Sequence, residues 1–239
     1  MSSDFVTILF TDSRGKGLVR FIQNYQTPDN IRYFVDVKSG WSLQRFAPRI
    51  IEVINRHDTE LVYSIVFAGI CGLTERTNEG NVSILRYPGA SRDTKVNETC
   101  DIIRSLKDRF RNHINFATIV PANLPAYFQH HNPGISVPAF LYSEQSGLEA
   151  DIRSINDIIT FINCGTISNI NLINWISLKS KKRRQRSGRK VVYRKVVKLT
   201  YRDFIDGVHF SEKLKRKFFR LFLHISITDI ETKFIQVSP

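Results

Sequence analysis

The chain has 239 residues, 42% of them hydrophobic, and a net charge of +13, values that suit a single basic globular domain. It has no run of about 18 apolar residues, which excludes a membrane-spanning helix, and its first residues lack the basic and apolar regions of a signal peptide. Its three cysteines, Cys71, Cys100 and Cys164, have no metal-ligand spacing, so we expect an intracellular protein, cytoplasmic or nuclear.

The hydrophobic pattern predicts five strands that alternate with helices. The strand at 61–68 is a continuous apolar run, which is typical of a strand buried on both faces of a parallel sheet. The alternation predicts one domain over 1–239, a parallel sheet flanked by helices. In chain order the predicted elements are strand 6–10, helix 15–25, strand 31–37, helix 43–56, strand 61–68, a polar loop 75–92 with a short strand at 82–86, helix 94–112, strand 114–121, an irregular connection 122–147, helix 148–163, strand 170–178, a basic segment, loop 201–209, helix 211–224 and an edge strand or tail at 225–239.

Polar turns follow the first three strands, and the first of them contains a serine. The strand at 6–10 continues into Asp12 and Ser13, and the second and third strands are followed by Gly40 and Cys71. Ligands of open α/β sheets bind at this edge, where helix amides can stabilise negative charge. The alternative is that Asp12 and Ser13 simply cap the next helix.

A fourth polar turn, Asp206-Gly207-Val208-His209, precedes the last predicted helix. A serine nucleophile needs a base within hydrogen-bond reach and a third group that orients the base. Ser13, His209 and Asp206 have these three chemistries. Taken alone, the histidine could be a capping or surface residue and the aspartate a turn former.

The three turns that contain Ser13, Gly40 and Cys71 and the Asp206–His209 turn form four sequence blocks. In this order they resemble the blocks of the SGNH (GDSL-type) hydrolases over residues 4–224. The resemblance implies a three-layer α/β/α fold with a flavodoxin-like sheet of about five parallel strands. It also implies an esterase, lipase, thioesterase or carbohydrate deacetylase activity on an ester substrate, and we expect no metal and no cofactor. By the same resemblance, Ser13 would be the nucleophile, His209 the general base and then acid, and Asp206 the residue that orients it.

The resemblance assigns the oxyanion hole to the amides of Ser13 and Gly40 and to an asparagine, whose place is taken by Cys71. A thiol is a weak donor, and loss of one oxyanion donor typically costs about 10²–10³ in rate. Thr74 or Asn123 could supply a donor instead, and a pseudoenzyme is the other possibility. A second departure is Thr11 in place of the usual glycine before Asp12, which is tolerable if its φ is negative.

The positive charge is concentrated in one segment. Residues 179–202 contain twelve of the 35 basic residues and no acidic one, so the rest of the chain has a net charge of only +1. We expect a solvated basic arm at about 179–200, a loop or hairpin in which 191–199 alternates like a two-stranded ribbon. The residues expected to bind nucleic acid or another anion are Lys181, Lys182, Arg183, Arg184, Arg186, Arg189 and Lys190.

The sequence therefore leaves two functions open. The first is an SGNH-type serine hydrolase, with the arm gathering an anionic substrate near Ser13 or remaining a solvated charge run. The second is a catalytically weak SGNH-like module that binds nucleic acid through the arm. A flavodoxin-type nucleotide binder is disfavoured because the first turn has no glycine-rich phosphate cradle. The oligomeric state stays open.

Overall fold

The computed structural model describes residues 5–22, 28–57, 61–78, 80–163 and 203–232, together with the backbone of 178–187 and 190–199. Its strands are β1 (Phe5–Thr11), β2 (Ile31–Val37), β3 (Leu61–Phe67), β4 (Thr74–Thr77), β5 (Ser83–Arg86), β6 (Ile114–Phe116), β7 (Leu178–Ser187) and β8 (Lys190–Leu199). Its α-helices are α1 (Val19–Ile22), α2 (Leu43–Asn55), α3 (Ile70–Leu73), α4 (Gly89–Phe110), α5 (Leu124–His131), α6 (Phe140–Ile162) and α7 (Glu212–Ile230), and two 3-10 turns lie at Ser13–Gly15 and Arg111–His113.

Within the described residues, the central sheet has four strands in the order β2-β1-β3-β6, all parallel. Every residue of β1 is buried, as its apolar run predicts for a central strand. In the register, Thr11 of β1 is level with Val37 of β2 and Phe67 of β3, so these three strands end together. The parallel sheet predicted from the sequence is confirmed. Of the fifth predicted strand, 170–178, only the last residue is described, and it belongs to β7.

Helices cover both faces of the sheet. On one face, Ile8 and Val66 pack in a core with side chains of α2, α4 and α6. On the other face, Leu9 and Ile65 pack against α7, whose phenylalanines at 218, 219 and 222 are almost fully buried. The three-layer α/β/α fold expected from the sequence is therefore confirmed.

The connection predicted to be irregular, 122–147, was wrong in two places. The helix α5 lies within it, and α6 begins at Phe140 rather than at 148. Pro125 stands in the first turn of α5 and Pro138 lies just before α6, positions where a proline costs no helical hydrogen bond. The prolines therefore mark helix starts here.

The last helix continues to Ile230, so the edge strand or tail predicted for 225–239 was wrong at its start, and 233–239 lie outside the described residues. Asp229, in the last turn of α7, is fully buried and accepts hydrogen bonds from the Tyr63 hydroxyl at 2.5 Å and from the Asn115 amide at 2.9 Å. The Asn115 amide also donates to the Tyr63 oxygen at 2.8 Å. This network ties the end of α7 to the middle of β3 and to β6, which a linear hydrophobic pattern does not reveal.

We expect Asp229→Ala to lower the free energy of unfolding by about 3–5 kcal/mol, because it leaves the buried Tyr63 and Asn115 groups without their shared acceptor. Urea unfolding of the variant and the wild type measures the difference. The control is Asp101→Ala, which removes an exposed carboxylate paired with Arg104 and should cost about 0.5 kcal/mol or less. A loss below about 1 kcal/mol for Asp229→Ala would contradict this role for the network.

The basic segment forms an antiparallel hairpin of β7 and β8, in which Lys182 pairs with Lys195 and Arg183 with Arg194. This agrees with the ribbon expected from the alternation in 191–199. Only the backbone of these two strands is described. Among all the described helices, none is long and apolar enough to cross a membrane.

Candidate active site

Ser13 begins a 3-10 turn directly after β1. The Asp12 carboxylate caps this turn by accepting a hydrogen bond from the Arg14 amide at 3.0 Å. Asp12 is buried, whereas Ser13 is partly exposed, so the hydroxyl-bearing residue stands at the surface of the sheet edge. Arg111 is the one described non-glycine residue with a positive φ, so Thr11 has the negative φ that its position requires. Asp12 is therefore a cap residue, as the alternative interpretation expected. Ser13 does not act as the cap, and it remains partly exposed at the sheet edge.

The turns after β2 and β3 lie on either side of Ser13, because β1 is between these two strands. Backbone hydrogen bonds connect the three strand ends. The Lys38 amide donates to the Thr11 carbonyl at 2.9 Å, and the Asp12 amide donates to the Phe67 carbonyl at 3.4 Å. The Gly40 amide lies close enough to the Cys71 sulfur to lower the pKa of its thiol slightly, and Gly40 has a φ of +73° that favours glycine. The two residues assigned to the oxyanion hole besides Ser13 therefore lie close together.

Cys71 is held as a neutral thiol at physiological pH. Burial raises its pKa to about 11, and the nearby negative charge of Asp12 acts in the same direction. Because the thiolate is the reactive form of a cysteine, Cys71 is poorly suited to be a nucleophile itself. It borders a small cavity of about 70 Å³ between α2, α3 and α4.

Asp206 and His209 form a hydrogen-bonded pair within one turn. The Asp206 Oδ2 atom lies 2.7 Å from His209 Nδ1, and its Oδ1 atom accepts the amides of Val208 at 2.9 Å and His209 at 2.8 Å. Burial favours a higher pKa for Asp206, but these hydrogen bonds outweigh it and hold the pKa well below its usual range. The carboxylate is thus ionised, and it orients a His209 side chain that is 42% exposed.

The lowered pKa of Asp206 fixes the pH range in which its carboxylate stabilises the fold. Because the folded chain holds this pKa below the ordinary value of 3.8, the ionised carboxylate contributes fully at pH values above the ordinary one. The contribution is lost as the pH falls further and the carboxylate is protonated. Urea unfolding of the wild type and of Asp206→Asn should therefore differ most above about pH 5, and the difference should shrink below about pH 4. If the difference in free energy of unfolding between the two proteins grew towards low pH, the Asp206 carboxylate would not stabilise the fold in its ionised form.

Arg14 connects the Ser13 turn to the Asp206–His209 turn. Its guanidinium lies 5.9 Å from the ring centroids of both Phe67 and Phe210, and these two rings stack at 5.6 Å. Phe210 directly follows His209. Burial raises the pKa of Asp12, and the charge of His209 lowers it by a smaller amount. The two turns therefore also interact electrostatically.

Helix α5 is packed against the same turn. Gly207 has a φ of +86°, and a Cβ atom at this position would lie 2.5 Å from the Asn123 carbonyl oxygen. The Asn123 amide donates to the Gly207 carbonyl at 2.7 Å, and its side-chain oxygen caps α5 through the Ala126 amide. This cap uses the Oδ1 atom of Asn123 and not its Nδ2 group, which is the group that could donate to an oxyanion. The Thr74 hydroxyl, in contrast, donates to the Ile70 carbonyl at 3.1 Å.

Helix α5 also brings two residues to this turn that the sequence pattern did not indicate. The rings of Tyr127 and His131 have centroids 4.3 Å apart and planes tilted by 47° to each other. Both residues lie close enough to Asp206 for its charge to affect their pKa values. Burial lowers the pKa of His131, and the neighbouring His130 lowers it further. The doublet of histidines was a visible signal, but its helix lay in a region predicted to be irregular.

The remaining predicted site residues are in the basic arm. Lys181, Lys182, Arg183, Arg184, Arg186 and Lys190 lie on the hairpin strands β7 and β8. Arg189 lies outside the described residues. In the part of the chain described with side chains, no group of three or more histidine, cysteine, aspartate or glutamate residues could hold a metal ion.

Two solved structures share this fold over nearly the whole chain. One is a protein assigned as an acylhydrolase from Bacteroides fragilis, with 13% identity, a TM-score of 0.56 and coverage of 94% of this chain and 88% of that one. The other is the lipase/acylhydrolase from Enterococcus faecalis, with 12% identity, a TM-score of 0.53 and coverage of 95% and 96%. No family model and no curated protein matches the sequence. The likeness shows the fold that the four sequence blocks implied.

Proposed function

We propose that this chain is a serine hydrolase of the SGNH type that cleaves an acyl or acetyl ester. The observation that carries the proposal is the Asp206–His209 pair, with 2.7 Å between Oδ2 and Nδ1. The charge of His209 also reaches Asp12, the residue before the partly exposed Ser13. An ionised carboxylate that fixes one imidazole nitrogen leaves the other to act as a base. The shared fold with two acylhydrolases supports the same reaction class.

In the proposed reaction, His209 Nε2 takes the proton of the Ser13 hydroxyl as the oxygen attacks the acyl carbon. The imidazolium then gives that proton to the leaving alcohol, and water releases the acyl group by the reverse sequence. Asp206 holds the Nδ1–H tautomer and stabilises the imidazolium. The amides of Ser13 and Gly40 would face the developing oxyanion.

A panel of p-nitrophenyl esters from acetate to octanoate tests this reaction. We expect turnover above the buffer rate, and the chain length with the highest kcat/KM gives the preferred acyl group. Equal rates with and without protein for every ester in the panel would contradict the proposal.

We expect Cys71→Asn to raise kcat by about tenfold to a hundredfold, because a side-chain amide is a better oxyanion donor than a thiol. The cavity beside Cys71, of about 70 Å³, gives the larger side chain space. The matched control is Cys71→Ala, which offers no donor and should not increase the rate. If Cys71→Asn folds but is no faster than Cys71→Ala, the position is not the site of a missing donor.

A second function, nucleic-acid binding through the basic arm, is favoured by the hairpin that β7 and β8 form. A two-stranded ribbon rich in lysine and arginine is suited to contact phosphates. The test is retention on a polyanion column at increasing salt, with and without residues 181–190. Earlier elution of the deletion variant would support a role for the arm, and unchanged retention would refute it.

A further inference from the structure

A row of four lysine and arginine side chains and one histidine runs along the outward face of α7. The inward face of the helix buries Leu214, Phe218 and Phe222 in the core. Positions three and four apart fall on the same side of a helix, so the exposed residues of the opposite face form one row about 16 Å long. We call it the α7 stripe, and its members are Lys213, Arg216, Lys217, Arg220 and His224, all exposed.

The two acidic residues of α7 lie outside the stripe. Glu212, at the start of the helix, forms ion pairs with Arg20 and, at 3.3 Å, with Lys215. Asp229 is buried on the inward side. The stripe contains four lysine and arginine side chains, and it lines an open groove of about 700 Å³ together with the partly buried Leu221 and with Glu212. The guanidinium of Arg216 lies over Phe21, with 5.8 Å between Cζ and the ring centroid.

The chemistry of the stripe fits a chain of regularly spaced phosphates better than it fits a lipid surface. A helix that binds a membrane inserts its apolar face between the lipids, but the apolar face of α7 is packed against the sheet. What remains outside is a linear array of lysine and arginine, which is the group of side chains that neutralises nucleic-acid backbones.

We infer that the outward face of α7 binds the phosphate backbone of a nucleic acid without base specificity, with Arg216, Lys217 and Arg220 as the central contacts. This surface does not depend on the hydrolase chemistry of Ser13. It shares its class of ligand with the proposal for the basic arm, but it is a separate site, made of side chains on a helix of the core fold.

The test measures binding of a fluorescein-labelled 20-nucleotide single-stranded RNA by anisotropy between 50 and 300 mM KCl. The variant is the triple substitution Arg216→Gln, Lys217→Gln, Arg220→Gln. We expect its Kd at 100 mM KCl to rise at least tenfold, and the slope of log K against log salt to fall by about 2, since each phosphate contact on a single strand contributes about 0.7.

The matched control removes the same number of positive charges elsewhere by changing the exposed residues Arg104, Arg109 and Arg153, on α4 and α6, to Gln. We expect its Kd to stay within about threefold of the wild type. The single variant Arg220→Gln, which should lower the slope by about 0.7, serves if the triple variant does not fold. Equal weakening by the stripe and control variants would overturn the inference, because net charge alone would then account for binding.

Two further measurements distinguish the α7 stripe from the basic arm and from a lipid-binding surface. A deletion of 181–190 that removes all RNA binding, while the stripe variant binds as well as the wild type, assigns the activity to the arm and overturns the inference. Binding of the wild type to phosphatidylserine vesicles but not to RNA also overturns it. Ester turnover by the stripe variant is measured in parallel, so that a failure of the hydrolase proposal and a failure of this one are seen separately.

Discussion

Ser13→Ala should lower kcat/KM for p-nitrophenyl acetate by at least about a thousandfold, which corresponds to about 4 kcal/mol of transition-state stabilisation. The variant keeps the Ser13 amide and the Asp12 cap on the Arg14 amide, so the 3-10 turn after β1 should persist. It removes only the oxygen that would attack the acyl carbon. The change in rate therefore reports on the nucleophile rather than on the fold.

The matched control is Ser39→Ala, which removes an exposed hydroxyl from the turn after β2 at the same sheet edge. We expect its kcat/KM to stay within about twofold of the wild type, as for a surface substitution that changes no catalytic group. If Ser13→Ala and Ser39→Ala behave alike, Ser13 is not the nucleophile and any ester turnover arises elsewhere.

Asp206→Asn should lower kcat by about 10³–10⁴-fold with little change in the fold. The asparagine oxygen can still accept the two amides that Asp206 Oδ1 binds, at 2.8 and 2.9 Å. Its NH₂ group then faces His209 Nδ1 and donates to it, which fixes the wrong tautomer and places the proton on Nε2. An imidazole in that state cannot take a proton from Ser13.

Asp203→Asn, in the same segment, is the control, because the Ser211 amide binds the Asp203 backbone carbonyl and not its side chain. Its kcat should be close to that of the wild type. If Asp206→Asn retains more than about a tenth of the wild-type kcat, the carboxylate serves as a turn former and not as the residue that orients His209.

The central sheet could be predicted from the sequence because its strands are continuous apolar runs. The run at Leu61–Phe67 has no polar alternation, and it lies between two parallel neighbours as such a run requires. The turns that follow such strands share one edge by topology, so Ser13, Gly40 and Cys71 could be grouped without coordinates. Their grouping required only that the strands be parallel.

The parts of the fold that could not be predicted depend on contacts between distant segments. The last turns of α7 bury Asp229, whose partners Tyr63 and Asn115 are more than 100 positions away. The segment 122–147 contains prolines, which favour an irregular connection, but here they stand at the start of α5 and just before α6. The position of Tyr127 and His131 beside Asp206 follows from α5, so it could not be predicted once that helix was missed.

Mass spectrometry of the chain after reaction with a fluorophosphonate probe shows whether Ser13 is an activated nucleophile. Such a probe phosphonylates an activated serine and leaves ordinary serines unmodified. We predict one adduct per chain, located on Ser13 in the digest, absent in Ser13→Ala and much slower to form in Asp206→Asn. The absence of any adduct on the folded wild type, or an adduct at another serine that persists in Ser13→Ala, would contradict the assignment of Ser13, His209 and Asp206 as a catalytic triad.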